Sequence, residues 1–161
     1  MRPISDFDYI IIGAGSAGCV LADRLSSSGK FKVLLIEAGP TDNRFWVKTP
    51  IGYGMTFHDE TINWAYHTIP ETGLGNRQLY WPRGKILGGS SSINALVYHH
   101  GHPADYDDWA AAGNPGWNYD AIQPVYDGFE DIIRADTQPV SMGKLTVSDV
   151  ADEYHPLKSY F

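Results

Sequence analysis

Three glycines, Gly13, Gly15 and Gly18, are spaced G-x-G-x-x-G and are followed nineteen residues later by the carboxylate Glu37. That spacing suits the binding of a dinucleotide. The first glycine permits a tight turn, the second lets the backbone approach a pyrophosphate, and the third lets a helix pack closely on a strand. The pyrophosphate then rests on a helix N-terminus, where free N–H groups and the positive end of the helix dipole favour an anion. An acid at the distance of Glu37 is placed to accept hydrogen bonds from the adenosine ribose hydroxyls. The same carboxylate disfavours a 2′-phosphate and argues against NADP. NAD and FAD both remain, and these residues do not separate them.

The glycines work only if a strand ends at the first and a helix begins after the second. Phe7 to Ile12 is a short apolar run that stops at Gly13-Ala14-Gly15, which predicts a fully buried parallel strand. From Ser16 the apolar residues Ala17, Val20, Leu21 and Leu25 recur on one helical face, and Ser26-Ser27-Ser28-Gly29 stops the helix. Val33-Leu34-Leu35-Ile36 reads as a second buried strand ending at Glu37. Residues 7–39 are therefore expected to form a right-handed βαβ unit, the core of an α/β, Rossmann-like fold.

The 161 residues suffice for one domain or a large piece of a bigger one, and a hydrophobic fraction of 43% with 19% charged residues excludes global disorder. A formal net charge of −7 argues against a nucleic-acid or anionic-membrane partner. The single cysteine, Cys19, cannot form an internal disulfide and rules out a cysteine-based zinc site; it is expected to be inert packing in the first helix. No apolar run approaches the length of a signal h-region or of a membrane span, so the expected location is cytoplasmic.

Residues 40–82 lack clean periodicity and carry prolines, glycines and many aromatics, among them Phe45, Trp46, Tyr53, Trp64, Tyr66, Tyr80 and Trp81. This pattern predicts an irregular, ordered loop or lid. Farther on, Pro103 to Ala112 reads as a short helix with proline at N1 and a solvated acidic face at Asp105, Asp107 and Asp108. A second helix is expected over about 119–134, with Asn118 as N-cap and Pro124 kinking it or delaying its start. Gly143 to Val147 reads as a strand.

Between these regions runs Gly84-Lys85-Ile86-Leu87-Gly88-Gly89-Ser90-Ser91-Ser92-Ile93-Asn94-Ala95-Leu96-Val97-Tyr98-His99-His100-Gly101. This segment resembles the first signature of the glucose–methanol–choline (GMC) oxidoreductases. Asn63-Trp64, Pro82-Arg83, Asp105-Tyr106-Asp107 and Gly113-Asn114-Pro115-Gly116-Trp117 resemble the bacterial alcohol- and choline-dehydrogenase-like branch, so the likeness extends from residue 7 to about 134. The resemblance implies FAD, with residues 83–107 as the flavin-contacting segment. It implies cofactor contacts at Gly13, Gly15, Ser16, Ala17, Gly18, Glu37, Ala38, Trp81, Arg83, Gly88, Gly89, Ser90, Ser91, Asn94, Ala95, Leu96 and Val97. Some members attach the flavin through a histidine at the place of Ile93; isoleucine cannot form that bond, which implies non-covalent FAD.

Two departures matter. Relatives of this branch often carry arginine at the place of His100 and a hydrophobic residue at His99, so His99, His100 and His102 cluster here, without cysteines or a clear fourth ligand for a metal. The resemblance also places the catalytic base in a C-terminal region, and none of His58, His67, His99, His100, His102 or His155 stands in such a context. A C-terminal chain carrying the substrate-binding sheet is therefore expected to complete the fold, and residues 108–161 would supply helices and the start of further strands. The expected activity is oxidation of a small-molecule alcohol by hydride transfer to flavin N5. The alternatives are an NAD-dependent dehydrogenase, which leaves residues 84–107 unexplained, and a non-redox flavin-bearing lyase or cofactor-binding subunit.

Overall fold

A computed structural model describes residues 6–133 and 145–148, in two units divided between Val97 and Tyr98. The first unit opens with β1 (Tyr9–Ile12), α1 (Ser16–Ser26) and β2 (Val33–Ile36). The strands pair in parallel, from Tyr9 opposite Val33 to Ile12 opposite Ile36. β1 begins two residues later than the apolar run because Asp8 makes a closing clasp: its N–H donates to the Lys32 carbonyl (2.8 Å) and its carboxylate accepts the Lys32 N–H (2.7 Å). α1 ends where Gly29 takes φ of +69° and donates its N–H to the Ser26 carbonyl.

The expectation of a fully buried strand is corrected. Ile11 is buried beneath α1, whereas Ile10 is half exposed and Ile12 is 85% exposed. Successive side chains on a strand point to opposite faces. α1 covers one face of the β1–β2 pair, and among the described residues the other is left open.

Residues 40–82 contain short elements that periodicity cannot reveal: α2 (Phe45–Lys48), a 3-10 turn over Pro50–Gly52, α3 (Tyr53–Thr56), and β3 (Tyr66–His67) antiparallel to β4 (Tyr80–Trp81). A four-residue helix completes barely one turn, too little for a repeating apolar face. Buried Asn63 ties this region together, its amide donating to the Phe57 carbonyl (2.8 Å) while its oxygen accepts the N–H groups of Ala65 and Arg83. Beside it lies an apolar cluster of Ile62, Ile86 and Ile93, with Val47 packed against it.

The second unit holds α4 (Pro103–Ala111), α5 (Tyr119–Asp127), β5 (Glu130–Ile133) and β6 (Leu145–Ser148). Pro103 begins α4, and the Asp105 carboxylate accepts the His102 N–H (3.0 Å) while His102 Nδ1 accepts from Ala104 (3.2 Å). Asp107 accepts the Tyr119 N–H at the start of α5 (3.1 Å). Asp105, Asp107 and Asp108 are exposed, as expected of a solvated acidic face, and Asp105 and Asp107 also tie helix ends.

α5 starts after Asn118 as expected and contains Pro124, but Asn118 makes no side-chain capping bond and the helix stops at Asp127 instead of continuing to 134. The chain turns at Gly128 and Phe129, and residues 130–133 pair in parallel with β6, Glu130 opposite Leu145. That pairing partner is remote in sequence, so local apolar spacing misassigns Ile133 to the helix. Gly143 and Lys144, expected in the last strand, lie outside the described residues. Among the described residues no helix is long and apolar enough to cross a membrane.

Candidate cofactor site

In the first unit three loops converge on the glycine turn. Gly13 has φ of +95° and donates its N–H to the Ile36 carbonyl (2.7 Å). Ala14 donates its N–H to Glu37 Oε2 (2.8 Å), and Glu37 Oε1 accepts the Gly39 N–H (3.0 Å), with Ala38 between them in the chain. The Ala14 carbonyl accepts the Gly88 N–H (2.7 Å), and Gly15 and Gly88 form a parallel bridge. The turn that would carry a pyrophosphate is thus held from β2, from Glu37 and from the serine-rich segment.

Close approach explains several glycines. A Cβ on Gly18 would lie 1.9 Å from the Gly13 carbonyl oxygen, so the third glycine lets α1 sit against its own entry turn. A Cβ on Gly39 would lie 1.7 Å from the Lys85 oxygen, and one on Gly84 would lie 2.2 Å from the Gly89 oxygen. Neither Gly39 nor that role of Gly84 was legible in the sequence, because both contacts join segments more than forty residues apart or fold one segment back on itself.

The N-terminus of α1 suits an anion. Its N-cap, Gly15, offers no side-chain bond and its first turn holds no acid, so the N–H groups of Ser16, Ala17 and Gly18 keep the donor character of a helix start. A Cβ on Gly13 would meet nothing within 4 Å, which leaves open space over the turn. Glu37 is already committed to two backbone donors. Each of its oxygens has a further lone pair, so acceptance from a ribose hydroxyl remains chemically available.

The serines divide by role. Ser91 and Ser92 donate their hydroxyl protons to the Gly88 (2.6 Å) and Leu87 (2.7 Å) carbonyls, whereas Ser90 Oγ accepts the Gly84 N–H (3.1 Å) and keeps its proton for another acceptor. Asn94 Oδ1 accepts the Leu96 N–H (3.0 Å) and holds Leu96 at φ of +61°, a conformation unusual for a bulky side chain. Asn94 and Leu96 line a small cleft with Ser91, Trp46 and Tyr53, two aromatics that carried no local signal of a site. Ala95 and Val97 are exposed beside it in the chain. Ile93 is 2% exposed and belongs to the apolar cluster, with its side chain committed to Ile62 and Ile86. Trp81 and Arg83 meet each other, the guanidinium 4.9 Å from the indole centroid.

The second unit has a polar cluster that sequence reasoning did not find. Glu130, 1% exposed, accepts from the Tyr98 hydroxyl and lies 2.8 Å from His100 Nε2. The His100 ring stacks on Tyr126 at 4.1 Å, and the Tyr126 and Tyr106 hydroxyls are 2.9 Å apart. Burial and the adjacent Glu130 push the Tyr98 phenol up from its ordinary value. The bond to Tyr106, then burial, pushes Tyr126 up to about 12. The neighbouring histidines diverge: His100 turns to Glu130 and His102 caps α4. Among the described residues no three His, Cys, Asp or Glu side chains are grouped to hold a metal.

The family model for GMC oxidoreductase matches residues 7–161. The chain belongs to the GMC oxidoreductase family. It is 48% identical over 130 residues to an oxygen-dependent choline dehydrogenase of Photobacterium profundum, covering 81% of this chain and 23% of that protein. It is 45% identical over 157 residues to an alcohol dehydrogenase (acceptor) of Pseudomonas putida, covering 96% of this chain and 28% of that protein. The crystal structure of pyridoxine 4-oxidase from Mesorbium loti superposes with a TM-score of 0.85 at 35% identity, over 95% of this chain and 30% of that one. The chain therefore spans about a quarter of the length of the curated relatives it matches. GMC oxidoreductases are FAD-dependent flavoproteins, and an uncapped helix start, an open glycine turn and an acid with spare lone pairs fit the ADP half of that cofactor.

Proposed function

We propose that this chain forms the FAD-binding part of an enzyme that oxidises a primary or sugar-type alcohol to its carbonyl. The observation that carries the reading is the junction of Gly13–Gly15, Glu37 and Gly88–Gly89, which joins a pyrophosphate turn to the GMC signature segment by direct hydrogen bonds. In this reading residues 7–39 are the dinucleotide unit, 40–82 the lid, 83–107 the flavin-contacting segment and 108–161 a further part of the same domain. Choline and alcohol dehydrogenases among the relatives support an alcohol as substrate.

Bound here, FAD would supply a two-electron acceptor for the hydride of the carbinol carbon. The chain's own part is binding and placement. The N–H groups of Ser16, Ala17 and Gly18 face the pyrophosphate charge, Glu37 takes ribose hydroxyls on its spare lone pairs, and Ser90 donates its free hydroxyl proton. Asn94, Ala95, Leu96 and Val97 line the reactive side, with Trp46 and Tyr53 limiting water. Trp81 and Arg83 flank the cofactor as a pair. Ile93 offers no nucleophile, so the flavin is held without a covalent bond.

The proton acceptor and the far wall of the substrate pocket belong to further chain. The open face of β1–β2, with Ile10 and Ile12 in solvent, supports a further layer there, because uncovered apolar strands are otherwise an association hazard. The test is anaerobic. Residues 1–161 supplied with FAD should show a bound-flavin spectrum that primary alcohols do not bleach, and the protein extended to the length of its relatives should be bleached by one of them. No flavin spectrum in either form would reject the reading, and rapid bleaching by residues 1–161 alone would reject the need for further chain.

A further inference from the structure

Glu37 stands where an acid is expected to touch a ribose, yet its carboxylate is occupied by the protein itself. Oε2 accepts the Ala14 N–H at 2.8 Å and Oε1 the Gly39 N–H at 3.0 Å. Ala14 is fully buried, and its carbonyl accepts the Gly88 N–H at 2.7 Å. One residue of the glycine turn therefore donates a hydrogen bond to the acid on one side and accepts one from the serine-rich segment on the other.

The surroundings make that residue a narrow joint. Gly88 and Gly89 take φ of +87° and +60°, and a Cβ on Gly89 would lie 2.8 Å from the Gly15 Cα. Gly39 also packs tightly against the Lys85 carbonyl, and Leu87 donates its N–H to the Pro40 carbonyl (3.0 Å). Glu37 thus grips both loops that border the segment, Gly13–Gly15 through Ala14 and Gly39–Pro40 through Gly39. A charged acceptor makes stronger bonds to backbone N–H groups than a neutral one, and fixed donors hold a loop without help from a ligand.

We propose that Glu37 is a positioning residue for the segment 88–94, fixing Gly88 through the Ala14 peptide before any cofactor binds. This rests on the reading of the site as an FAD site, and it adds to ribose contact a second task that operates in the cofactor-free chain. A role limited to the ribose would leave the free protein unchanged when the acid is removed. A positioning role would not.

The test is amide hydrogen exchange in the full chain without FAD, for the wild type, Glu37→Gln and Glu37→Ala, with FAD affinity measured in parallel. Glu37→Ala should raise exchange at Ala14 and Gly88 by about tenfold or more and leave Thr68, in the β3–β4 ribbon, unchanged. Glu37→Gln keeps an amide oxygen for Ala14, so Gly88 should stay protected while FAD binds more weakly. If Glu37→Ala is too unstable to study, Glu37→Asp decides, because it keeps the charge but is one methylene too short to span both the Ala14 and Gly39 N–H groups: raised Gly88 exchange with Thr68 unchanged supports the proposal, and unchanged Gly88 exchange, or equal loss at Gly88 and Thr68, overturns it. Unchanged Gly88 exchange in Glu37→Ala, with FAD affinity reduced, also overturns it in favour of a ribose contact alone. Failure of the wild type to bind FAD, with the exchange pattern as expected, would reject the FAD reading and leave the positioning role standing.

Discussion

A methyl group on Gly89 would lie 2.8 Å from the Cα of Gly15, so these two glycines hold the pyrophosphate turn and the serine-rich segment at a separation that any side chain at position 89 would forbid. Gly89 also has φ of +60°, where an L-residue is strained by about 1–2 kcal/mol before any clash is counted. Gly89→Ala should therefore lower stability by about 2 kcal/mol or more and loosen the site. Gly54→Ala, where a Cβ would meet nothing within 4 Å at ordinary φ, should change stability by less than about 1 kcal/mol. Chemical denaturation of both variants measures the contrast, and equal stability losses would refute it.

The three consecutive serines should respond differently to removal of the hydroxyl. Ser91→Ala and Ser92→Ala leave the Gly88 and Leu87 carbonyls without a side-chain donor and should each cost about 1 kcal/mol of stability. Ser90→Ala removes the one hydroxyl of the three whose proton is not already given to the backbone, and should weaken FAD binding about fivefold or more. Urea unfolding and FAD titration of the three variants separate the two effects. A larger FAD defect in Ser91→Ala than in Ser90→Ala would reverse the assignment.

Acid precipitation should leave colourless protein and free FAD in the supernatant. Ile93 has no nucleophile, and its side chain is buried against Ile62 and Ile86. A yellow pellet would contradict non-covalent binding. Ile93→Ala should cost about 2–5 kcal/mol as a cavity mutation, read from its unfolding midpoint.

Alkaline pH should loosen the second unit through Tyr126. Its bond to Tyr106, together with burial, raises the phenol from 10 to about 12. A group whose pKa is raised on folding stabilises the fold fully below the unfolded value and loses that contribution as pH climbs to the folded one. The loss therefore falls between about pH 10 and 12, where unfolded phenol ionises and folded Tyr126 does not. Tyr106→Phe should move Tyr126 ionisation toward 10 in an ultraviolet titration and flatten the pH dependence of stability in that window. An unmoved titration would show that the hydroxyl pair is not the cause.

Glu130→Ala should cost about 3 kcal/mol, because it removes a buried carboxylate that accepts from the Tyr98 hydroxyl and meets the His100 ring nitrogen. Thermal unfolding measures it, and a loss below about 1 kcal/mol would show that solvent replaces the carboxylate.

The dinucleotide unit was legible in residue order because each of its signals is local. Gly13, Gly15 and Gly18 mark a turn, the period of Ala17, Val20, Leu21 and Leu25 marks a helix, and Val33 to Ile36 marks a strand. The Gly84–Gly101 run likewise carried the family by its own residue types. What tertiary structure decided are the contacts between these stretches. Whether Ile12 would be covered depended on what packs on β1, Ile133 joined a strand because β6 lay beside it, and Glu37 met Ala14 and Gly39 because β2 ends next to the glycine turn. The same holds for the division of labour among Ser90, Ser91 and Ser92, and for Glu130 beneath Tyr98 and His100. A residue's conformational preference is written in its neighbours along the chain, whereas the partner of a carboxylate or hydroxyl is set by which distant backbone groups the closed fold brings within about 3 Å, and close packing leaves those groups little choice.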